Sequence, residues 1–184
     1  MMGPSGQTGT VDVESMQLIA STLTLVVAAS TLVIWAAGLS GRGTRLVALV
    51  VESRATLTTL IALGATLGSL YFSEVAGYVP CRLCWFQRIA MYPLAVIGAV
   101  WLMRGGREGR AYVLPIAAVG ALISTYHYLI EWNPSLDSGV CAASGPACTD
   151  VWFRSFGFVT MALMALVAFV AIITVNVVSP RSTD

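Results

Sequence analysis

Residues Pro80–Met103 read PCRLCWFQRIAMYPLAVIGAVWLM, and the two ends of that stretch point to different solvents. From Trp85 onward it is a continuous apolar run of a kind that crosses about 30 Å of hydrocarbon as a helix, for which about 18 residues suffice. Four more such runs flank it: Gln17–Leu39, Ala55–Phe72, Ala111–Ile130 and Phe156–Val178. None of them contains Asp, Glu or Lys, and Arg88 is the only formal charge inside any. The whole chain of 184 residues is 57% hydrophobic and only 10% charged, with mean hydropathy +0.82, far from an ordinary soluble domain. The expected fold is all-α and polytopic: a four-helix transmembrane bundle over residues 55–178, with one extra N-terminal transmembrane helix over 17–39.

That first run is not read as a cleaved secretory signal. Its leader, MMGPSGQTGTVDVES, has no basic residue, and the apolar stretch is too long for a signal core. Arginine placement then orients the chain. Arg42, Arg45 and Arg54 follow the first run, Arg104, Arg107 and Arg110 the third, and Arg181 the fifth. These regions share one side if every run spans, and the positive-inside rule makes that side cytoplasmic. Residues 40–54 are then a cytoplasmic loop and 179–184 a cytoplasmic tail, while the tail of residues 1–16 lies outside.

All four cysteines fall on the outer side. Cys81 and Cys84 stand at the mouth of the third run, and Cys141 and Cys148 bracket the loop CAASGPAC between the fourth and fifth. Disulfides persist on the oxidising side of a membrane, so two pairs on that face could exchange electrons. Gly145-Pro146 can turn the loop, and closing so small a ring restrains the unfolded chain by roughly 2–3 kcal/mol. Its polar flanks predict a mobile pair within reach of a partner in water. Cys81 and Cys84 are expected to be neither mobile nor freely reachable. Pro80 suits the first position of a helix, where its missing N–H costs nothing. A cysteine in that first turn meets unpaired N–H groups and the positive end of the helix dipole, which favour thiolate. Arg88 lies four residues after Cys84 and seven after Cys81, on the same helical face. It either snorkels toward water or supplies a cation and hydrogen-bond donor beside Cys84.

The segments PCRLCWFQRIAMYPL, YHYLIEWNP, CAASGPAC and FGFVTMALMALVAF together resemble the disulfide-bond formation protein B (DsbB) family, most closely its short-loop BdbC-type members. The likeness runs from about Ala55 to Val178. It implies a membrane enzyme of the bacterial plasma membrane that reoxidises an extracytoplasmic thioredoxin-fold partner of DsbA/BdbD type and passes the electrons to the quinone pool, as ubiquinone or menaquinone. The resemblance makes Cys141 the sulfur attacked by the partner, Cys148 the sulfur that then attacks Cys81, and Cys84 the thiolate that meets the quinone. It places Arg88 and His127 beside the quinone, and matches Pro134 to a loop proline. Three departures stand out. Only six residues separate Cys141 from Cys148, against a much longer shuttling loop in other members. Glu131 stands where Gln is expected, and Gln17–Leu39 has no counterpart in the four-helix core.

Other readings of the same residues remain. Four cysteines could hold zinc, although the second pair is wider than the usual C-x(2–4)-C and Arg88 adds positive charge. Both pairs could be structural disulfides of a non-enzymatic membrane assembly protein. Enzymes related to vitamin K epoxide reductase share the chemistry, but their loop pair precedes the C-x-x-C in the chain. Among the remaining features, GATLG at Gly64–Gly68 predicts a close helix-packing face, and Tyr92-Pro93 a kink. Trp85, Phe86, Trp152, Phe153 and Phe156 fit an outer aromatic belt, with a surface-lying segment near Val151–Ser155. No metal-binding His pair and no basic face for nucleic acid is visible.

Overall fold

The computed structural model of the chain describes residues 12–40, 44–106, 108–137, 139–141 and 145–179. Arg42, Arg107 and Arg181 and most of both tails lie outside the described residues. The apolar runs become helices because a backbone in hydrocarbon must satisfy its own N–H and C=O groups. Helix α1 spans Val13–Ser40, α2 Thr44–Glu52, α3 Arg54–Leu70, α4 Arg82–Arg104, α5 Gly109–Trp132 and α6 Met161–Val177. A π-helical turn, Tyr71–Val75, extends α3, and a 3₁₀ turn, Pro134–Leu136, follows α5. No strand occurs among the described residues.

Helices α3, α4, α5 and α6 close a ring, each packed on the next and α6 back on α3, while α1 lies outside against α6. Four helices (α1, α3 with its π turn, α4 and α5) are long and apolar enough to cross a membrane. The fifth, α6, has 17 residues and rises about 26 Å at about 1.5 Å per residue, the lower edge of a spanning length.

Two boundaries differ from the sequence expectation for local reasons. The run at Phe156–Val178 is not helical throughout. Phe156 and Gly157 take left-handed conformations (φ 53° and 80°), Ser155 pairs with Val159, and Thr160 caps the helix by accepting the Leu163 N–H. The segment Val151–Ser155 likewise forms no helix. In the stretch expected as a plain loop, 40–54, Thr44–Glu52 is a short helix that buries Val47 and Val50 and exposes Leu46 and Leu49.

The packing contacts also differ. A Cβ built on Gly64 or Gly68 would meet nothing within 4 Å, so GATLG is not a close-packed face here. Tight approaches include Gly98 of α4 on Thr59 of α3, Gly109 of α5 on Trp101 of α4, and Gly120 of α5 on the Phe169 ring of α6. Two buried amides donate across the bundle: Gln87 to Ser124 at 3.1 Å, and Asn176 to Thr58 at 2.9 Å. Arg54 donates to the carbonyls of Val175 and Val178, which closes the last turn of α6. Pro93 lies inside α4, which continues through it.

The extra helix is joined to the core at both ends. Trp35 Nε1 donates to Thr174 Oγ1 at 2.8 Å, and Gln17 Nε2 donates to the Tyr78 hydroxyl at 2.5 Å. A double-mutant cycle of Gln17→Leu and Tyr78→Phe should give a coupling of about 0.6–2 kcal/mol in unfolding of the detergent-solubilised protein. A coupling near zero would mean that α1 is held by Trp35 and apolar packing alone.

Candidate functional site

The cysteines meet at the end of the bundle where α4 begins and α5 ends. Cys81 is the N-cap of α4: its backbone is extended (φ −72°, ψ 174°) and its sulfur accepts the Cys84 N–H at 3.4 Å. Pro80 therefore precedes the cap and does not occupy the first helical position. The correction has a physical reason, since a cap must offer an acceptor to an unpaired N–H and the Cys81 sulfur does so. The C-x-x-C spacing brings the next sulfur back over the cap, with Cys81 Sγ and Cys84 Sγ 3.1 Å apart as free thiols.

Cys141 and Cys148 are joined as a disulfide. The expected mobile, water-reachable pair is instead buried: Cys141 is 6% exposed and Cys148 0%. Both sulfurs pack with Cys81, Leu83 and Ile130, because sulfur behaves as a small apolar group and the loop folds down to bury it. Arg82 ties the loop to the start of α4 by donating to the Val140 carbonyl at 3.1 Å, and Asp137 accepts the Gly139 N–H at 3.1 Å. Cys148 thus shares one buried cluster with Cys81.

His127, seven residues beyond Gly120 on α5, stands between the two pairs. Its Nε2 is 3.7 Å from Cys81 Sγ and 3.2 Å from the Cys148 carbonyl oxygen. Glu131, one helical turn on, brings Oε1 to 3.9 Å from the same nitrogen, and its other oxygen accepts the Thr160 hydroxyl at 2.7 Å. Thiol, carbonyl and carboxylate thus converge on Nε2, while the buried Nδ1 has no hydrogen-bond partner.

Arg88 faces another neighbour. Its Nε donates to Ser69 Oγ and a terminal nitrogen to the Ser69 carbonyl, both at 3.0 Å, and its guanidinium lies 5.3 Å from the Trp85 ring centre. Arg88 thus contacts Ser69 and Trp85, whereas His127 contacts Cys81, Cys148 and Glu131. Trp152 and Phe153 close over the thiols, and Trp152 stacks on Tyr78 at 4.7 Å. Between them and Cys81, Cys84, His127 and Glu131 is a cavity of about 10 Å³.

Ser69, Arg82, Tyr78 and Thr160 carry no motif, and sequence reasoning missed them. Each is found through a partner 19 or more residues away, and a lone Ser, Arg, Tyr or Thr gives no local sign of one.

The Cys81 thiol is held well below the ordinary thiol range. The Cys84 side chain contributes most by hydrogen bonding to the sulfur; hydrogen bonding and charge from His127 add to it, and burial opposes both. A lowered value keeps the thiolate as pH falls and loses it only below the shifted value. With the loop disulfide intact and the C-x-x-C reduced, ultraviolet thiolate absorbance should show one thiolate persisting to about pH 6, where an ordinary thiol of pKa about 8.5 is protonated. Titration of that absorbance near pH 8.5 would contradict the assignment.

A family model described as "Disulfide bond formation protein DsbB" matches residues 51–179. "Disulfide bond formation protein C" of Bacillus subtilis (strain 168) is 45% identical over 105 residues, covering 57% of this chain and 76% of that protein. "Probable disulfide formation protein C 1" of Bacillus anthracis is 42% identical over 100 residues, covering 54% and 72%. "Probable disulfide formation protein" of Deinococcus radiodurans is 44% identical over 102 residues, covering 55% and 67%. No solved structure matches. The matched region begins after α1.

Proposed function

Because the chain belongs to the DsbB family of disulfide bond formation proteins and is of the BdbC type, we propose that it is the membrane oxidase of a thioredoxin-fold partner of DsbA/BdbD type, with a membrane quinone as electron acceptor. Membership makes it a multi-pass membrane disulfide oxidoreductase. The observation that supports the finer reading is the clustering of Cys81, Cys141 and Cys148, with His127 Nε2 between the Cys81 sulfur and the Cys148 backbone carbonyl.

In the relay, a partner thiolate attacks Cys141 and forms a mixed disulfide, and Cys148 leaves as thiolate. Cys148 then attacks Cys81 of an oxidised Cys81–Cys84 pair and frees Cys84. The second partner thiol displaces Cys141, which in turn takes Cys148 from Cys81. The net result is one partner disulfide, a restored loop disulfide and a reduced C-x-x-C. Each step is thiolate attack on a disulfide, so access and relative potential set its direction. Cys141 is 6% exposed, and partner attack therefore requires the loop to lift. His127 can move the thiol proton between the pairs, and Glu131 orients its ring.

The residues near Cys84 suit a planar, lipid-soluble acceptor with polar oxygens. Cys84 is half-buried, Trp85, Phe86 and Ile89 are exposed, and Arg88 supplies guanidinium donors held by Ser69. The 10 Å³ cavity does not hold a quinone ring in this state, so the ring would bind on the lipid side of α4. A quinone accepts two electrons and two protons. The alternative, a non-enzymatic membrane assembly protein with two structural disulfides, would show no turnover. The side bearing the cysteines is read as extracytoplasmic from the arginines at the opposite end, Arg45, Arg54, Arg104 and Arg110, with the C-terminus cytoplasmic.

The test is turnover by the purified protein with a reduced thioredoxin-fold substrate and, separately, ubiquinone and menaquinone. One quinol per substrate disulfide is expected with at least one of them. Substrate oxidation that proceeds without either quinone being reduced would reject the acceptor.

A further inference from the structure

We infer that the reduced C-x-x-C and His127 form a three-ligand site for one thiophilic cation, with Zn²⁺ as the type, and that its occupancy blocks the flow of electrons out of the pair. The blocking role rests on the relay proposed above; the binding does not.

The geometry points to a cation. Cys81 Sγ, Cys84 Sγ and His127 Nε2 all lie within 4.8 Å of one another. Tetrahedral zinc with Zn–S of about 2.3 Å and Zn–N of about 2.0–2.1 Å places sulfur about 3.6 Å from nitrogen and sulfurs about 3.8 Å apart. The observed Cys81–His127 separation is 3.7 Å, and the sulfurs at 3.1 Å must open by about 0.7 Å. Cys84 is half-buried and can swing by that amount, whereas Cys81 is fixed as the helix cap.

The surroundings supply the remaining requirements. The cavity of about 10 Å³ between these side chains is the size of one ion or one water. Glu131 lines the same cavity and can fill the fourth position directly or through a water. Arg88, whose charge argued against zinc at the sequence level, is engaged by Ser69 and Trp85. The four-cysteine zinc site is not the one described, since Cys141 and Cys148 are bonded to each other. Histidine and a carboxylate replace them.

Binding transfers no electrons. Whatever protons remain on the two thiols pass to solvent as the cation takes both sulfurs; His127 Nε2 gives up its proton and the Cys148 carbonyl, and the neutral imidazole carries its one N–H at Nδ1. A Cys81–Cys84 disulfide has no thiolate to offer, so the site exists in one redox state only. With both sulfurs coordinated, neither can attack a disulfide or reduce an acceptor until the cation leaves.

Cobalt(II) is the probe. It is titrated into detergent-purified protein carrying Cys141→Ser and Cys148→Ser, so that the only thiols are those of the C-x-x-C, after reduction and removal of the reductant. The expected result is one Co²⁺ per chain with thiolate-to-metal charge-transfer absorbance and tetrahedral ligand-field bands, displaced by Zn²⁺ and absent after oxidation of the pair. His127→Ala should weaken binding by at least about tenfold and alter the ligand-field bands. His127→Gln gives the same comparison if the alanine variant elutes as aggregate. Absence of thiolate-to-cobalt absorbance, or equal affinity without the imidazole, overturns the site. Wild-type turnover without added metal is scored separately, so failure of the quinone reading leaves the cobalt result intact. If the site binds but Zn²⁺ does not slow turnover of an active enzyme, the blocking role is wrong.

Discussion

Cys84→Ala is expected to abolish electron delivery to the quinone while leaving a mixed disulfide between the partner and Cys141. The reason lies in the order of sulfur exchange. Attack at Cys141 needs only the loop disulfide, which the substitution leaves intact. Without Cys84, Cys81 has no disulfide for Cys148 to attack and no second sulfur to release. The complex should stall with the partner attached and accumulate on non-reducing gels. Residues that act as one covalent unit lose on the order of 10⁴–10⁶-fold when any is removed, so turnover should fall to background. Cys84 is half-buried and Cys81 keeps the helix cap, so loss of folding is not the expected cause. Retained quinone reduction in Cys84→Ala would remove the residue from its assigned role.

Gly120→Ala should destabilise the bundle by about 1–3 kcal/mol, as overpacking of a filled interior does. A Cβ at Gly120 would lie 2.3 Å from two carbons of the Phe169 ring, and Phe169 is 0% exposed, so the ring has no free direction. The helices must separate or the ring must leave its rotamer. Pairing with Phe169→Leu should restore part of the loss, because the two positions share one contact. Denaturant unfolding in mixed micelles measures both. A Gly120→Ala protein within about 0.5 kcal/mol of wild type would show that α5 and α6 can part at no cost, contrary to the observed packing. Activity should fall with stability, since α5 also carries His127.

Both effects concern contacts of different legibility. Cys84 was readable: C-x-x-C at a helix mouth with Arg88 four residues on is a local pattern, and its thiols do come together. Gly120 was not. The glycines singled out, Gly64 and Gly68, face open space, whereas Gly98 and Gly120, both in close contact, sit in unremarkable apolar surroundings. His127 was assigned to the quinone site through family likeness; its contacts here are with the Cys81 sulfur, the Cys148 carbonyl and Glu131.

From its sequence alone the chain settled that it is helical, that it has several apolar segments of spanning length, and that its thiols gather near one end of them. Segment length and absence of charge are local properties, and hydrocarbon enforces their outcome. Only the tertiary structure decided which face of each helix is interior, that the loop cysteines are buried, and that α6 begins at Met161 behind a Phe156–Gly157 turn. In lipid a bundle exterior is as apolar as its interior, so helix periodicity carries little record of which side is packed. Long-range hydrogen bonds such as Arg88–Ser69, Arg82–Val140 and Glu131–Thr160 join distant parts of the chain, and nothing local to either partner announces them.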